Sequence, residues 1–203
     1  MTEAVSFLAR GRVAIAAIDN PPVNALSHAV RAGLVDALER TAADPALAAL
    51  VIVCRGRTFC AGADVREFGK PFKDPQLGGV VARTEASSKP VIAAMHGTAL
   101  GGGLELALSC HYRVALRDTR LGLPEVKLGI IPGAAGTQRL PRLVPARAAL
   151  TMIAEGRDVG AAEALKLGLL DEIIEGELEA GAVAFAERML TAGGALRLSL
   201  IHI

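Results

Sequence analysis

Three consecutive glycines, Gly101, Gly102 and Gly103, open an apolar stretch whose one charged residue is Glu105. Glycines at the start of a helix leave backbone N–H groups uncovered at the positive end of the helix dipole, where a developing oxyanion can approach with no Cβ in the way. A carboxylate two residues after the triplet is well placed for proton chemistry. A second carboxylate, Glu125, follows Pro124, and a helix, a strand and a loop lie between the two acids, enough to return the second to the first. Two carboxylates facing one cleft can hold a water, one taking its proton and the other giving a proton elsewhere. The competing reading puts Glu105 on a solvated helix face and Glu125 on an exposed loop, as for most glutamates. The absence of other charge from Val91 to Cys110 speaks for the cleft.

The stretch Arg55–Val65 (RGRTFCAGADV) supplies a second small-residue turn, with Ala61, Gly62 and Ala63 in succession and Asp64 able to cap a short helix. The N–H groups of Ala63 and Gly102 can together form an oxyanion hole. The plainer alternative is that the small residues only allow close packing of helix on strand. The triplet is not a phosphate loop: no Lys-Ser/Thr follows Gly102 or Gly103, and no G-x-G-x-x-G starts at Gly101. His96, in an apolar strand, reads as a packed histidine rather than a base. Cys60 has no evident histidine partner and reads as a small hydrophobe. Gly133, after Pro132, is a turn glycine whose N–H can reach the same cleft.

The elements that must position these residues follow from periodicity. Val5–Leu8 and Val13–Ile18 read as strands joined through Arg10-Gly11, and Asn20-Pro21-Pro22 then breaks the sheet. Ser27 caps a helix carrying Val30, Leu34, Val35 and Leu38 on one face, ending near Asp44-Pro45. Ala49–Cys54 and Val91–Met95 are continuous apolar runs, the pattern of strands covered on both faces. Lys70–Gly79 reads as a surface loop, Gly79–Ser88 as a helix and Tyr112–Leu116 as a third strand. Helices are expected from Ala134, over Ala146–Glu155, over Ala161–Leu167 closed by Gly168, and over Glu177–Leu190. Strand, glycine-rich turn and helix occur twice, at 49–69 and 91–110, which implies an α/β spiral of ββα units rather than a plain doubly wound sheet.

Composition narrows the classes. Hydrophobic residues make up 52% with mean hydropathy +0.41, so a membrane span has to be considered. The most apolar region, Val91–Cys110, holds Glu105 and four glycines, and a mid-span carboxylate costs about 2.5–3.5 kcal/mol, so it reads as buried core. Met1-Thr2-Glu3 carries no basic stretch ahead of an apolar run, and cytoplasmic placement is the expectation. Lys+Arg 22 against Asp+Glu 21 gives no field to draw nucleic acid, and one Tyr with no Trp leaves little base-stacking surface. Cys54, Cys60 and Cys110 lack CxxC spacing and read as reduced thiols, neither a disulfide framework nor a metal site.

Phe59–Asp64 (FCAGAD), Gly97–Glu105 (GTALGGGLE), Pro124-Glu125 and Leu128–Leu140 (LGIIPGAAGTQRL), in that order, resemble the enoyl-CoA hydratase/isomerase (crotonase) superfamily from about Val5 to Leu190. The loop at Phe68–Pro75 is similar to the N-terminal hydratase part of the bifunctional β-oxidation enzymes, in which a 3-hydroxyacyl-CoA dehydrogenase follows. The resemblance implies a crotonase-like spiral with C-terminal helices and a site without cofactor or metal. In it Glu105 helps activate water, Glu125 exchanges the C2 proton, and the Ala63 and Gly102 amides hold an acyl-CoA thioester. The CoA arm would lie along Ala61, Ala63, Asp64, Val65 and Arg66, with Gly102 and Gly133 also against substrate. Both glutamates together favour hydration; double-bond isomerisation, or a truncated domain that binds acyl-CoA without turnover, are the alternatives. The expected partners are a second copy of the chain or a fused dehydrogenase. Residues 1–190 would form the domain, and 191–203, which show no helix stop and no return to polarity, an incomplete segment.

Overall fold

The computed structural model describes residues 4–193 other than 68, 70 and 72, and of Val65 only the backbone. Strands β1 (Val5–Arg10) and β2 (Val13–Ile18) pair antiparallel, Arg10 opposite Val13, around Gly11. Helix α1 (His28–Ala43) starts where the Ser27 side chain accepts from the Val30 N–H, and it returns the chain to β3 (Ala49–Cys54), parallel to β2. A 3-10 turn (Val65–Glu67) and α2 (Leu77–Glu85) lead to β4 (Val91–Met95), β5 (Thr98–Leu100) and α3 (Gly102–Ser109). The same order repeats as β6 (Tyr112–Leu116), β7 (Arg120–Gly122) and a 3-10 turn (Pro124–Leu128). Helices α4 (Gly136–Leu143) and α5 (Ala146–Ala154), β8 (Asp158–Gly160), α6 (Ala161–Leu167), β9 (Glu172–Ile174) and α7 (Leu178–Thr191) complete the described chain.

A six-stranded sheet runs β1-β2-β3-β4-β6-β9, parallel from β2 onward. Alternate residues of one run serve two cores: Val13, Ile15 and Ala17 pack with Leu178, Ala182 and Phe185 of α7, while Ala14, Ala16 and Ile18 pack with Val30 and Leu34 of α1. That two-sided burial is why β2 and β3 read as unbroken apolar runs. A smaller sheet, β5-β7-β8, gathers the short strands that follow β4 and β6. The units that begin at β4 and β6 are each a long strand, a short strand in the second sheet and a helical return, and the unit that begins at β3 reaches that sheet only by the isolated bridge of Cys60 to Ala99, in keeping with the spiral the motifs imply.

Several boundaries differ from the sequence reading. Helix α2 begins at Leu77 and ends at Glu85, two residues earlier than expected at its start and three at its end. Helix α4 begins at Gly136 rather than Ala134, because Ala135 takes a left-handed conformation (φ 67°) and the amides before it are engaged elsewhere. His96 follows β4 rather than lying within it; it is half-buried, its Nε2 3.0 Å from the Gly56 carbonyl. The short strands β5, β7, β8 and β9 have no counterpart in the sequence reading. The resemblance at Phe68–Pro75 rests partly on positions outside the described residues, as does the segment at 194–203.

The two small-residue turns are laced together. Cys60 N donates to Thr98 O (3.1 Å), and Leu100 N donates to Cys60 O (3.0 Å). Gly103 lies directly on this lacing: a Cβ there would meet Cys60 Cβ at 2.8 Å and Sγ at 2.9 Å. Gly103→Ala is therefore expected to lower stability by about 1–3 kcal/mol through overpacking. A thermal melt reads this, and an unchanged midpoint would refute the packing argument.

Candidate active site

The parallel register of β5 and β7 sets the site. Leu100 pairs with Gly122, and the next residue, Gly101, donates its N–H to the Gly122 carbonyl at 3.0 Å. Gly101 then turns with φ 53° and ψ −127°, a conformation that side-chain-bearing residues avoid, and α3 begins. Four residues beyond Gly101 comes Glu105, whose N–H donates to the Gly101 carbonyl (2.9 Å); three beyond Gly122 comes Glu125, in the 3-10 turn. The two acids face one cavity. A Cβ on Gly101 would sit 3.2 Å from Glu125 Oε1, so the bare glycine is also what admits the second carboxylate.

Neither acid is solvated in the way the alternative reading supposes: Glu105 is 2% exposed and Glu125 8%. Burial pushes the Glu105 carboxyl above its ordinary pKa, opposed by N–H donors from Gly136 and Ala134 and by the charge of Arg139. Its Oε1 accepts from Ala134 N at 2.7 Å and Gly136 N at 2.8 Å. Burial raises the Glu125 carboxyl as well, its own backbone N–H opposing, and the charge of Glu105 pushes it further up. Glu125 Oε2 is buried with no hydrogen-bond partner among the described residues. One acid is gripped and the other is left with a free oxygen, so the two carboxyls sit in unlike environments.

Ala63 and Gly102 lie side by side on the wall of the same cavity, about 930 Å³ in volume. A Cβ on Gly102 would come 3.4 Å from Ala63 N, and one on Gly62 3.7 Å from Gly102 N. Among the described residues neither the Ala63 nor the Gly102 N–H donates to a protein acceptor. Ala61, Asp64 and Gly133 line this cavity too, and an adjoining groove of about 320 Å³ is walled by Ala61, Ala63, Asp64, Arg66 and the Asn20–Val23 segment. Asp64 acts as the cap, accepting the Arg66 N–H at 3.0 Å and the Arg66 guanidinium at 2.7 Å. The Val65 backbone starts the 3-10 turn. Cys60 is buried beneath the site with its thiol pushed up to about 12 by burial, the state of a packed hydrophobe. Among the described residues no cluster of three His, Cys, Asp or Glu side chains is arranged to hold a metal ion.

Sequence reasoning missed the amides that grip Glu105. Gly133 lines the cavity, and the N–H groups of its neighbours Ala134 and Gly136 make the contact to Glu105. The run of small residues Gly133–Gly136 was the available signal. It also missed Arg31, which bridges the Leu26 carbonyl (2.7 Å), Glu67 (2.9 Å) and the Pro75 carbonyl (2.7 Å) on the cavity wall.

With its parallel sheet, laced glycine turns and paired buried acids, the chain belongs to the enoyl-CoA hydratase/isomerase family, whose model matches residues 9–198. It is 54% identical over 168 residues to the peroxisomal bifunctional enzyme of Danio rerio, covering 83% of this chain and 23% of that protein. The chain spans about a quarter of the length of such bifunctional relatives. A probable enoyl-CoA hydratase of Bacillus subtilis (strain 168) is 45% identical over 199 residues, covering 91% of this chain and 77% of the other. The enoyl-CoA hydratase of Mycobacterium tuberculosis H37Rv superposes with a TM-score of 0.87 at 36% identity, over 93% of this chain and 76% of that one. No helix among the described residues is long and apolar enough to cross a membrane.

The buried carboxyl has a stability signature. A carboxyl whose folded pKa is raised favours the folded state while protonated; that contribution is complete below the ordinary value of 4.5 and is lost as pH climbs through the folded pKa. Glu105→Gln carries no charge to desolvate and can still accept from both amides. It is expected to melt with the parent near pH 4.5 and above it at about pH 8, with the gap widening between. Melting curves that coincide at both ends of that range would contradict a strained buried charge.

Proposed function

We propose that residues 1–190 form one enoyl-CoA hydratase unit, adding water across the double bond of a trans-2-enoyl thioester to give the 3-hydroxyacyl-CoA of fatty-acid β-oxidation. The observation that carries this reading is the meeting of two buried carboxylates and two uncommitted amides on one cavity. Conjugation lets C3 accept hydroxide only if the thioester oxygen can carry the resulting charge, and the Ala63 and Gly102 N–H groups are the donors for it. Glu105, ionised, takes a proton from water as the water oxygen bonds to C3. Glu125, whose carboxyl is pushed up by burial and by the neighbouring charge, gives its proton to C2. The CoA arm follows the groove at Ala61–Arg66, at whose edge the exposed Arg66 is paired with Asp64.

No step calls for a cofactor beyond the substrate's own CoA. Leu128 and Ile131, 73% and 75% exposed beside the cavity, support a second copy of the chain or a fused 3-hydroxyacyl-CoA dehydrogenase as partner. Three free, buried thiols fit a reducing compartment, here taken as the cytoplasm. Isomerisation of a 3-enoyl thioester is the second reading, favoured by the unpartnered Glu125 oxygen, which could shuttle a proton alone.

Crotonyl-CoA is the test substrate, followed by loss of its conjugated thioester absorbance. Glu105→Gln and Glu125→Gln are each expected to lower the rate by about 10²–10⁴-fold. A variant as fast as the parent removes that residue from the mechanism. Conversion of a 3-enoyl thioester that survives Glu105→Gln but not Glu125→Gln selects the isomerase, and calorimetric binding of the thioester without turnover selects a non-catalytic binder.

A further inference from the structure

Behind Glu105 lies a buried ion pair that the proposed chemistry does not use. Arg139 of α4 and Glu85 of α2 are 4% and 6% exposed, and they meet with Nη2 to Oε2 at 2.7 Å and Nε to Oε1 at 3.4 Å. A buried pair of this kind is weak evidence for stability, since desolvating both charges offsets their attraction. Its remaining donor has a definite target: Arg139 Nη1 donates to the Ala134 carbonyl at 3.0 Å. Ala134 is the residue whose own N–H, with that of Gly136, holds Glu105 Oε1. Between them stands Ala135 at φ 67°, a left-handed conformation that an alanine keeps only when its neighbours are held. Gly136 has no slack either, because a Cβ there would meet Glu105 Oε1 at 3.0 Å and Pro132 Cβ at 3.1 Å.

We propose that Arg139, anchored by Glu85, is a positioning residue for Glu105: the guanidinium locks the 134–136 turn so that its two amides clasp the carboxylate and fix its free oxygen toward the cavity. The planar fork suits this task, since one group reaches a carboxylate on one side and a carbonyl on the other. A lysine presents a point charge and cannot span both. The inference rests on the reading of Glu105 as the group that activates water.

Burial raises the Glu105 carboxyl, and the clamp opposes that rise. The charged groups around it are Glu125, from the 3-10 turn after β7; Arg139, from α4; and Glu85, from α2 behind Arg139. Arg31 and Glu67 are paired with each other on the same cavity wall, where His28 and Lys73 also lie. His111, which feels Glu85, stays neutral because burial and Arg113 bring it down to about 4. Losing the guanidinium and the two amides removes what favours the ionised form, so Glu105 must then protonate at higher pH. A base is lost as pH falls through its pKa, hence the acid limb of the rate profile moves up.

The test uses the full chain with two variants. Glu85→Gln with Arg139→Gln removes both buried charges together and leaves neither unpaired, and Arg139→Lys keeps a cation against Glu85 should the double variant fail to fold. On crotonyl-CoA each is expected to lower kcat by about 10–100-fold with little change in KM, and to raise the acid limb of kcat/KM. The Glu105 carboxyl carbon, followed by NMR in glutamate-labelled protein and assigned by its loss in Glu105→Gln, is expected to titrate at higher pH. A folded variant with the parent's kcat, acid limb and carboxyl midpoint overturns the clamp while leaving the hydratase reading standing. If the parent itself does not hydrate crotonyl-CoA, that reading fails instead, and the carboxyl midpoint decides the clamp alone: raised upholds it, unchanged overturns it.

Discussion

The pairing of two three-residue strands, β5 and β7, is the constraint on which the site depends. Its register ties Gly101 to Gly122, and from those two points the chain needs only four and three residues to deliver Glu105 and Glu125 to one cavity. A slip of one residue would turn every side chain of β7 to the opposite face and carry Glu125 away from Gly101. So short a pair has little stability of its own. It is held by the strands and helices that flank it, through the bridge of Cys60 to Ala99 on one side and the pairing of β7 with β8 on the other.

Around that register the chain accepts electrostatic strain. Two carboxyls are buried within reach of each other, and both are pushed above their ordinary range, chiefly by loss of water. The opposing groups are unequal: Glu105 has two amides, the start of α3 and Arg139, while Glu125 has its own backbone N–H and a buried oxygen with no partner. The asymmetry gives the two acids unlike surroundings, one held by several donors and the other by few. Such an arrangement lowers stability locally, and the two-sided burial of β2, β3 and β4 offsets it elsewhere in the molecule.

Glycine and alanine on the two turns act through what they omit. Gly102 and Ala63 leave their amides on an open wall, Gly103 lets α3 rest on Cys60, and Gly101 makes room for the Glu125 carboxylate. The plainer reading of these residues, close packing alone, is correct for Gly103 and insufficient for Gly101. One segment serves both purposes because the backbone that packs against the neighbouring turn on one side lines the cavity on the other.

The amino-acid sequence by itself determined the long strands, the capped helix α1 and the candidate site residues. Val13–Ile18 and Ala49–Cys54 announce two-sided burial in every residue, Ser27 and Gly168 punctuate helices through local hydrogen bonds and backbone freedom, and the triplet with Glu105 is contiguous. The tertiary structure alone decided what lies between segments far apart in the chain. Strands β5, β7, β8 and β9 are three residues each, too short for any period, and exist because a partner is there to bond them. The burial of Glu105 and Glu125, the amides of Ala134 and Gly136, and the meeting of Arg139 with Glu85 across 54 residues of chain depend on how packed elements converge. Local preferences are written in neighbouring residues; a carboxyl's protonation and an arginine's partner are set by the dielectric and the groups that folding brings around them.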